Sequence, residues 1–343
     1  MGQDTLLEIE NLRIGVETDG ESLTIIEDVS LSVKAGEILA LVGESGCGKS
    51  VTAHSIMRLL PKMLKIDSGQ IIWHSPKQGK AIDITRLDPR GRDIRRIRGD
   101  EIAMIFQEPM SSFSPLHTIG VQIMEVVRLH RKASKKEARA VAVEMLDKVG
   151  IPDPNRVVDQ YPHEFSGGMR QRAMIAKALS CKPALLIADE PTTSLDVTIQ
   201  AQVLALMHDL QSEFGMAIIF ITHDLGVVAQ VTDKVAIMYL GKIVEQGDTR
   251  EIFNNPKHPY TINLLEAIPR LARIEDRKTL IPIQGTVPTL FERPTGCPFV
   301  TRCSRAIADR CEVSMPALLP VSKDHQVACF LHQTNGEAAE AAV

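Results

Sequence analysis

The chain has 343 residues, a net charge of −4 and a mean hydropathy near zero, with 44% hydrophobic residues. This length suits one large domain and a smaller one, and it can bury a sizeable core. The sequence has no apolar run long enough to span a bilayer, and its start lacks the order of a secretory signal. The acidic balance argues against bulk nucleic-acid binding. We therefore expect no nucleic-acid partner. The six scattered cysteines favour a reduced cytoplasm.

Short apolar runs alternate with amphipathic helical patterns between residues 6 and 250. A strand that is covered on both faces is apolar throughout. On this basis we predict buried strands over 37–43, 101–107, 184–190 and 216–224. One predicted helix follows Asp196 and another begins at Ile119, each with apolar residues on one face. Strands that alternate with helices indicate an α/β protein with a mostly parallel sheet.

The stretch GESGCGKS, residues 43–50, follows an apolar strand and precedes a helical segment that Pro61 stops. A P-loop requires this context. Its glycines let backbone N–H groups surround an anion at a helix N-terminus. We predict that Lys49 reaches the β- and γ-phosphates of a nucleotide and that Ser50 ligates Mg²⁺. The predicted ATP-binding residues are Gly43, Glu44, Ser45, Gly46, Cys47, Gly48, Lys49, Ser50 and Val51.

Two adjacent carboxylates, Asp189 and Glu190, end one of the apolar strands. Two acids side by side at a strand end are costly to hold without a cation. We predict that Asp189 is the second Mg²⁺ ligand. We predict that Glu190 is the general base that accepts a proton from the attacking water. Together with the P-loop, this pair predicts an enzyme that hydrolyses ATP.

The stretch FSGGMRQR, residues 165–172, resembles the LSGGQ signature of ATP-binding-cassette (ABC) ATPases. Other motifs of that family follow in the same order: Gln107 as in the Q-loop, SLD at 194–196 as in the D-loop, and His223 as in the H-loop. Phe165 replaces the leucine of the signature, and Met169 replaces its glutamine. The resemblance implies an ABC-type nucleotide-binding domain with a helical subdomain at about 108–180.

The resemblance also implies a role for each motif. Gln107 would contact Mg²⁺ and sense the attacking water, and His223 would steady the γ-phosphate beside the base Glu190. A second subunit would share its ATP with the signature of this one, so that two nucleotides are sandwiched head to tail. The residues that would act on the partner's ATP are Ser166, Gly167, Gly168 and Asp196. No aromatic residue precedes Trp73, so no residue is assigned to stack on adenine.

Three further stretches resemble the ATP-binding subunits of dipeptide/oligopeptide importers, a branch that also includes nickel uptake systems. They are PTTSLDVTIQAQ (191–202), MYLGKIVEQG (238–247) and HPYT (258–261). Prolines and cysteines crowd the chain beyond about residue 253. We therefore predict an ABC ATPase domain over 1–253, a small Pro/Cys-rich extension over 254–332 and a disordered tail over 333–343.

The resemblance implies a motor subunit that couples ATP hydrolysis to the uptake of dipeptides or oligopeptides. The same motor role for nickel or another small solute is the alternative, and a soluble ABC ATPase without a permease is a further one. The implied partners are a second ATPase subunit, one or two membrane permease subunits and, indirectly, an extracytoplasmic solute-binding protein. A heterodimer of ATPases is favoured over a homodimer. The chain would lie peripherally on the cytoplasmic face of the membrane, with a permease helix on Met110, Phe113 and Leu116.

Four cysteines lie near the end of the sequence with the spacing C-x5-C-x7-C-x17-C: Cys297, Cys303, Cys311 and Cys329. In some members of the resembled family these cysteines bind a [4Fe–4S] cluster. The C-x2-C pairs that are usual in structural zinc sites are absent, yet four thiolates can hold either metal. A cluster is favoured here, and zinc, no metal or disulfides are the alternatives. The separate Cys47 either fills the P-loop or is a reactive thiol at a helix N-terminus.

Overall fold

The computed structural model describes residues 5–18, 21–107, 112–193, 195–268 and 283–333. The strands are β1 (Thr5–Thr18), β2 (Glu21–Lys34), β3 (Ile38–Val42), β4 (Leu64–Ser75), β5 (Lys80–Asp83), β6 (Ile102–Ile105), β7 (Leu185–Asp189), β8 (Ala217–Thr222), β9 (Lys234–Tyr239), β10 (Lys242–Asp248), β11 (Leu319–Ser322) and β12 (His325–Val327). The helices are α1 (Lys49–Ile56), α2 (Arg92–Ile97), α3 (Ile119–Arg131), α4 (Lys135–Lys148), α5 (Pro154–Val157), α6 (Gly167–Leu179), α7 (Val197–Phe214), α8 (Leu225–Val231), α9 (Thr249–Asn254) and α10 (Pro259–Glu266).

The main sheet has the strand order β11-β12-β10-β9-β3-β8-β7-β6. Strands β9, β3, β8, β7 and β6 run parallel, whereas β10, β12 and β11 pair antiparallel at one end. The four strands predicted from apolar runs are β3, β6, β7 and β8, and every residue in them is buried. The predicted α/β class is confirmed. The parallel order brings the carboxyl ends of these strands to one edge of the sheet.

A second, antiparallel sheet has the order β2-β1-β4-β5 and shares a core with the main sheet. Trp73 of β4 is fully buried there, and helix α1 contributes Ile56 to the same core. The sequence pattern placed the end of α1 at about residue 60, but the helix ends at Ile56. Arg58 adopts a left-handed backbone (φ 50°), and Arg98 donates to the carbonyl oxygens of Met57 and Arg58. The N–H groups of Arg58 and Leu59 donate back to the carbonyl oxygens of Ser55 and His54, so the left-handed residue ends the helix early, and Arg98 binds the carbonyls just beyond it.

Helices α3, α4 and α6 pack together within the predicted helical subdomain. Side chains cap their first turns, since Thr118, Ser134 and Ser166 each accept a hydrogen bond from a backbone N–H three residues on. Phe113, expected on an exposed docking patch, is instead buried in this core, with the Lys177 ammonium 5.1 Å from its ring centroid. Leu116 is exposed as expected, at 80%, and Met110 lies outside the described residues.

The chain beyond residue 253 joins the main sheet, because β12 pairs with β10 and β11 pairs with β12. The carboxylate of Glu245 on β10 is fully buried and accepts hydrogen bonds from the N–H groups of Lys257 and His258 and from the ring of His325. Burial alone would raise the pKa of Glu245, but these hydrogen bonds hold it below its ordinary value. Because the extension shares a sheet and a core with the preceding residues, the division at residue 253 stays a prediction.

Gln333, the first residue of the predicted tail, donates to the carbonyl oxygen of Ala317, and residues 334–343 lie outside the described residues. Among the helices of the described ranges, none is both long enough and apolar enough to cross a membrane.

Candidate functional site

The predicted nucleotide-site residues lie at the carboxyl ends of four parallel strands, at one edge of the main sheet. The P-loop follows β3, Gln107 follows β6, the acid pair lies at the end of β7, and His223 follows β8. Ligands of open α/β sheets bind at the carboxyl ends of the strands. The topology therefore brings together residues that are up to 180 positions apart in the sequence, from residue 43 to residue 223.

The P-loop wraps around the side chain of Lys49. Its ammonium donates to the backbone oxygens of Gly43 (2.8 Å) and Glu44 (3.1 Å), and the side chain is almost fully buried. Gly48 has a φ of 108°, and a Cβ at this position would lie 2.5 Å from Cδ1 of Ile26, so only glycine fits. The lysine is thus held inside the loop, at the N-terminus of α1, where backbone N–H groups and a cation favour an anion.

Cys47 lies within the loop and is buried. Burial raises the pKa of its thiol above the ordinary value, and the nearby Lys49 only partly opposes this. Nucleophilic cysteines are thiolates with a lowered pKa. The geometry therefore favours the first of the two readings of Cys47, a side chain that fills the loop.

Two of the three predicted Mg²⁺ ligands, Ser50 and Asp189, are in direct contact. The hydroxyl of Ser50 donates to Oδ1 of Asp189 over 3.1 Å. Asp189 is buried, and burial raises the pKa of its carboxyl, while Ser50 and the nearby His54 oppose the rise. A buried carboxylate beside a hydroxyl oxygen fits the oxygen ligands that Mg²⁺ prefers. The pair can hold a cation at the end of β7.

The structure also brings the three predicted catalytic residues together. One oxygen of the Glu190 carboxylate accepts hydrogen bonds from Nε2 of Gln107 (3.0 Å) and from the hydroxyl of Thr193 (2.8 Å). The other lies 3.3 Å from Nδ1 of His223. Thr193 was not among the predicted site residues, although its hydroxyl stands only three positions after the carboxylate. The Glu190 side chain is thus oriented from three sides, as a general base must be.

The backbone of Glu190 is unusual as well. Its φ is 47°, in the left-handed region that residues other than glycine rarely adopt. Its N–H donates to the carbonyl oxygen of Ile221, which lies on the adjacent strand β8. Gln171 on α6 is buried and donates to the carbonyl oxygen of Pro191, the next residue. These contacts hold the strand end in place and connect it to the helix of the signature motif.

The predicted trans-acting residues lie at two exposed helix starts. Ser166, with Gly167 and Gly168 after it, begins α6, and its hydroxyl accepts from the N–H of Met169 (3.3 Å). Asp196 begins α7 and accepts from the N–H of Ile199 (2.9 Å). Both Ser166 and Asp196 are exposed to solvent. A helix start with free N–H groups is suited to an anion from outside the chain. Ser194 lies outside the described residues.

The four C-terminal cysteines line one small pocket with His258 and Phe299. All four are free, and all but Cys303 are buried. Burial raises the pKa of the Cys297 thiol to about 12 and that of Cys329 to about 11. The cavity is about 10 Å³, the room of roughly one water-sized sphere. Within the described ranges, no group of three or more His, Cys, Asp or Glu side chains already has a metal-binding arrangement.

Comparison with known proteins agrees with this geometry. Residues 26–193 match the ABC transporter family, and residues 244–311 match the C-terminal region of oligopeptide/dipeptide transporters. The dipeptide transport ATP-binding protein DppD of Bacillus subtilis is 47% identical over 98% of this chain and 97% of that protein. The oligopeptide transport ATP-binding protein OppD of Escherichia coli is 46% identical over 95% of this chain and 93% of its own length.

The chain belongs to the ATP-binding subunits of oligopeptide/dipeptide ABC transporters. As an ABC ATPase it binds and hydrolyses ATP. Solved ABC structures share its fold. One is a dimeric ATP-binding cassette in a post-hydrolysis state with ADP and Pi, at a TM-score of 0.62 and 26% identity over 71% of this chain and 99% of that one. Another is the cbiO1 subunit of the cbiONQ ABC transporter complex of Clostridium perfringens, at a TM-score of 0.61 and 27% identity over 76% of this chain and 96% of that one.

Proposed function

We propose that this ABC subunit is the motor of an importer for dipeptides or oligopeptides and works peripherally at the cytoplasmic face of the membrane. One observation carries the proposal: the similarity to DppD and OppD, whose names state dipeptide and oligopeptide transport, extends over nearly the whole chain. It therefore includes the C-terminal extension as well as the ATP site. A motor does not contact the solute, so the substrate class is taken from these relatives.

In the proposed hydrolytic cycle, the residues 43–51 bind the triphosphate and Lys49 binds its β- and γ-phosphates. Ser50, Asp189 and Gln107 would hold Mg²⁺, which would neutralise charge on the phosphate oxygens. Glu190 accepts the proton of the attacking water, and Gln107 and Thr193 orient its carboxylate. His223 steadies the γ-phosphate.

The proposed motion needs a second ATPase subunit. Ser166, Gly167 and Gly168 of each subunit bind the ATP held by the other, and Asp196 joins the two sites. Their exposure at helix starts supports this role. ATP then holds the two subunits together until hydrolysis releases them. We favour a related but different partner chain. The closing dimer moves one or two permease subunits, which receive solute from an extracytoplasmic binding protein.

We propose that the permease docks on the segment between Gln107 and α3. Leu116 in this segment is 80% exposed and Val121, near the start of α3, is 47% exposed. Exposed apolar patches mark contact sites for partners, and these two exposed side chains are only five positions apart in the sequence. The segment follows Gln107 directly, and Gln107 donates a hydrogen bond to the carboxylate of Glu190. A displacement of the segment by the permease would therefore reach Glu190 through the side chain of Gln107.

Replacing Leu116 with Asp is expected to lower the recovery of permease with the tagged chain roughly tenfold, as the loss of an interface anchor does. The measurement is quantitative co-purification from gently solubilised membranes. Leu129→Asp is the matched control, because Leu129 is 74% exposed on α3 but lies at its far end. Full recovery of permease with the Leu116 variant, or an equal loss with the Leu129 variant, would rule out this docking site.

We further propose that Cys297, Cys303, Cys311 and Cys329 hold one metal centre with a structural role, a [4Fe–4S] cluster in preference to zinc. Their convergence on one pocket and their free thiols support a four-thiolate site. The raised pKa values of Cys297 and Cys329 mean that these thiols stay protonated without a cation, so a metal would have to displace their protons. The small cavity requires the thiols to move apart for a cluster.

The metal is identified by elemental analysis of protein purified without oxygen. We expect iron and acid-labile sulfide in about equal amounts, about four of each per chain, as a [4Fe–4S] centre holds. Cys303→Ser should remove the metal, whereas Cys181→Ser, which changes a buried cysteine elsewhere in the fold, should leave it. Stoichiometric zinc would replace the cluster assignment, and protein free of both metals would end the proposal.

A further inference from the structure

The C-terminal extension reaches the P-loop directly, through one arginine. Nη1 of Arg302 donates to Oε2 of Glu44 over 2.6 Å, and Nη2 donates to Oε1 over 3.1 Å. Glu44 is the second residue of the P-loop, and 258 positions separate the two partners. The Arg302 side chain is only 4% exposed and that of Glu44 is 27% exposed. A two-pronged pair with this degree of burial is stronger and more directional than a surface ion pair.

Several contacts hold the Arg302 side chain in place. It ends a short helical turn, Val300–Arg302, and its side chain also donates to the carbonyl oxygen of Gln284 and the hydroxyl of Tyr239. Phe299, just before this turn, packs on the rings of Tyr239 and Tyr260 with centroid distances of 5.2 and 5.3 Å. Arg302 therefore has little freedom to follow Glu44 if the P-loop moves.

A second contact holds the backbone of the same glutamate. The N–H of Glu44 donates to the hydroxyl of Tyr260 over 3.0 Å. Both the backbone and the carboxylate of Glu44 are thus bound by residues beyond position 253. The backbone oxygen of Glu44 in turn accepts from the ammonium of Lys49 over 3.1 Å. Glu44 is the link between the extension and the lysine of the phosphate site.

We propose that Arg302 is a positioning residue for ATP binding, which holds the Glu44 carboxylate away from Lys49 and the incoming phosphates. A carboxylate at this place would attract the ammonium of Lys49 and repel the triphosphate if it were left without its partner. Arg302 neutralises it and fixes its direction. The affinity of the P-loop for ATP is then set in part by the extension. The inference needs only the binding of ATP, and it is independent of the transported solute.

The test measures the Kd of the purified chain for a fluorescent ATP analogue in the presence of Mg²⁺. Arg302→Met is expected to raise Kd about tenfold, the usual effect of losing a hydrogen-bonded charge partner. Adding Glu44→Gln to this variant is expected to lower Kd at least about threefold from the Arg302→Met value, because the unpaired charge is gone. A role limited to folding would not produce such a recovery.

Arg293→Met is the matched control. Arg293 also joins the extension to the preceding part of the chain, through an ion pair with Glu27 (2.8 Å). This ion pair lies outside the P-loop. We expect it to lower the melting temperature and leave Kd unchanged. Arg302→Lys keeps the charge without the two-pronged geometry, so it should raise Kd less, and it carries the test if Arg302→Met does not fold. Wild-type Kd in the Arg302 variants, no recovery with Glu44→Gln, or an equal rise in Arg293→Met would each overturn the proposal.

Discussion

Replacing Glu190 with Gln is expected to lower the turnover number for ATP at least about a hundredfold, the usual contribution of a general base. The amide keeps the shape of the side chain and one of its two acceptor oxygens, but it cannot accept the proton of the attacking water. The binding of Mg²⁺-ATP should persist, since the P-loop and Asp189 are unchanged. Phosphate release measures the turnover, and a fluorescent ATP analogue measures the binding.

Glu213→Gln is the control for this experiment. Glu213 lies near the end of α7, is exposed and pairs with Lys148, so its loss should leave turnover at the wild-type level. If the Glu190 variant hydrolyses ATP at more than a tenth of the wild-type rate, the base is another group, and the contacts around Glu190 only shape the strand end.

Replacing Lys49 with Met is expected to raise the Kd for Mg²⁺-ATP about a hundredfold, because in the proposed site the ammonium makes charge-assisted bonds to two phosphates. The ammonium lies buried inside the loop, where it donates to the backbone oxygens of Gly43 and Glu44. Titration with a fluorescent ATP analogue gives the affinity, and turnover should fall with it.

Lys234→Met serves as the matched control. Lys234 pairs with Glu37 and begins β9, at the opposite edge of the main sheet from the P-loop. Its substitution removes the same charge and leaves the phosphate site intact. Equal ATP affinity in the Lys49→Met variant and the wild-type chain would contradict the assignment of the phosphate site.

The residues of the phosphate site could be predicted from the sequence because each is part of a short pattern at the end of an apolar strand. The P-loop, the acid pair and His223 all follow strands that are buried throughout. Buried parallel strands put their carboxyl ends at one edge. The clustering of Gln107, Glu190 and His223 followed from this arrangement, although their hydrogen bonds did not.

Contacts between distant parts of the chain could not be predicted in this way. Arg302 and Glu44 stand in no pattern with each other, since their pairing depends on how the extension folds back on the main sheet. The left-handed turn at Arg58 ends α1 early, and Arg98, forty residues on, binds the carbonyl oxygen of Arg58. Phe113 looked like part of an exposed apolar segment, but packing against α6 buries it. Each of these outcomes depends on contacts between residues that are far apart in the sequence, and local sequence patterns do not predict such contacts.

If ATP hydrolysis by this chain drives the uptake of peptides, as proposed above, then abolishing hydrolysis abolishes uptake. The most direct measurement is the uptake of a radiolabelled dipeptide, with radiolabelled Ni²⁺ in parallel, in cells that carry either the wild-type gene or Glu190→Gln as their only copy. We predict that dipeptide uptake in the Glu190 variant falls to the level of cells without the gene, while nickel uptake is unchanged. Normal dipeptide uptake in the variant, or loss of nickel uptake alone, would contradict the proposed role in peptide import.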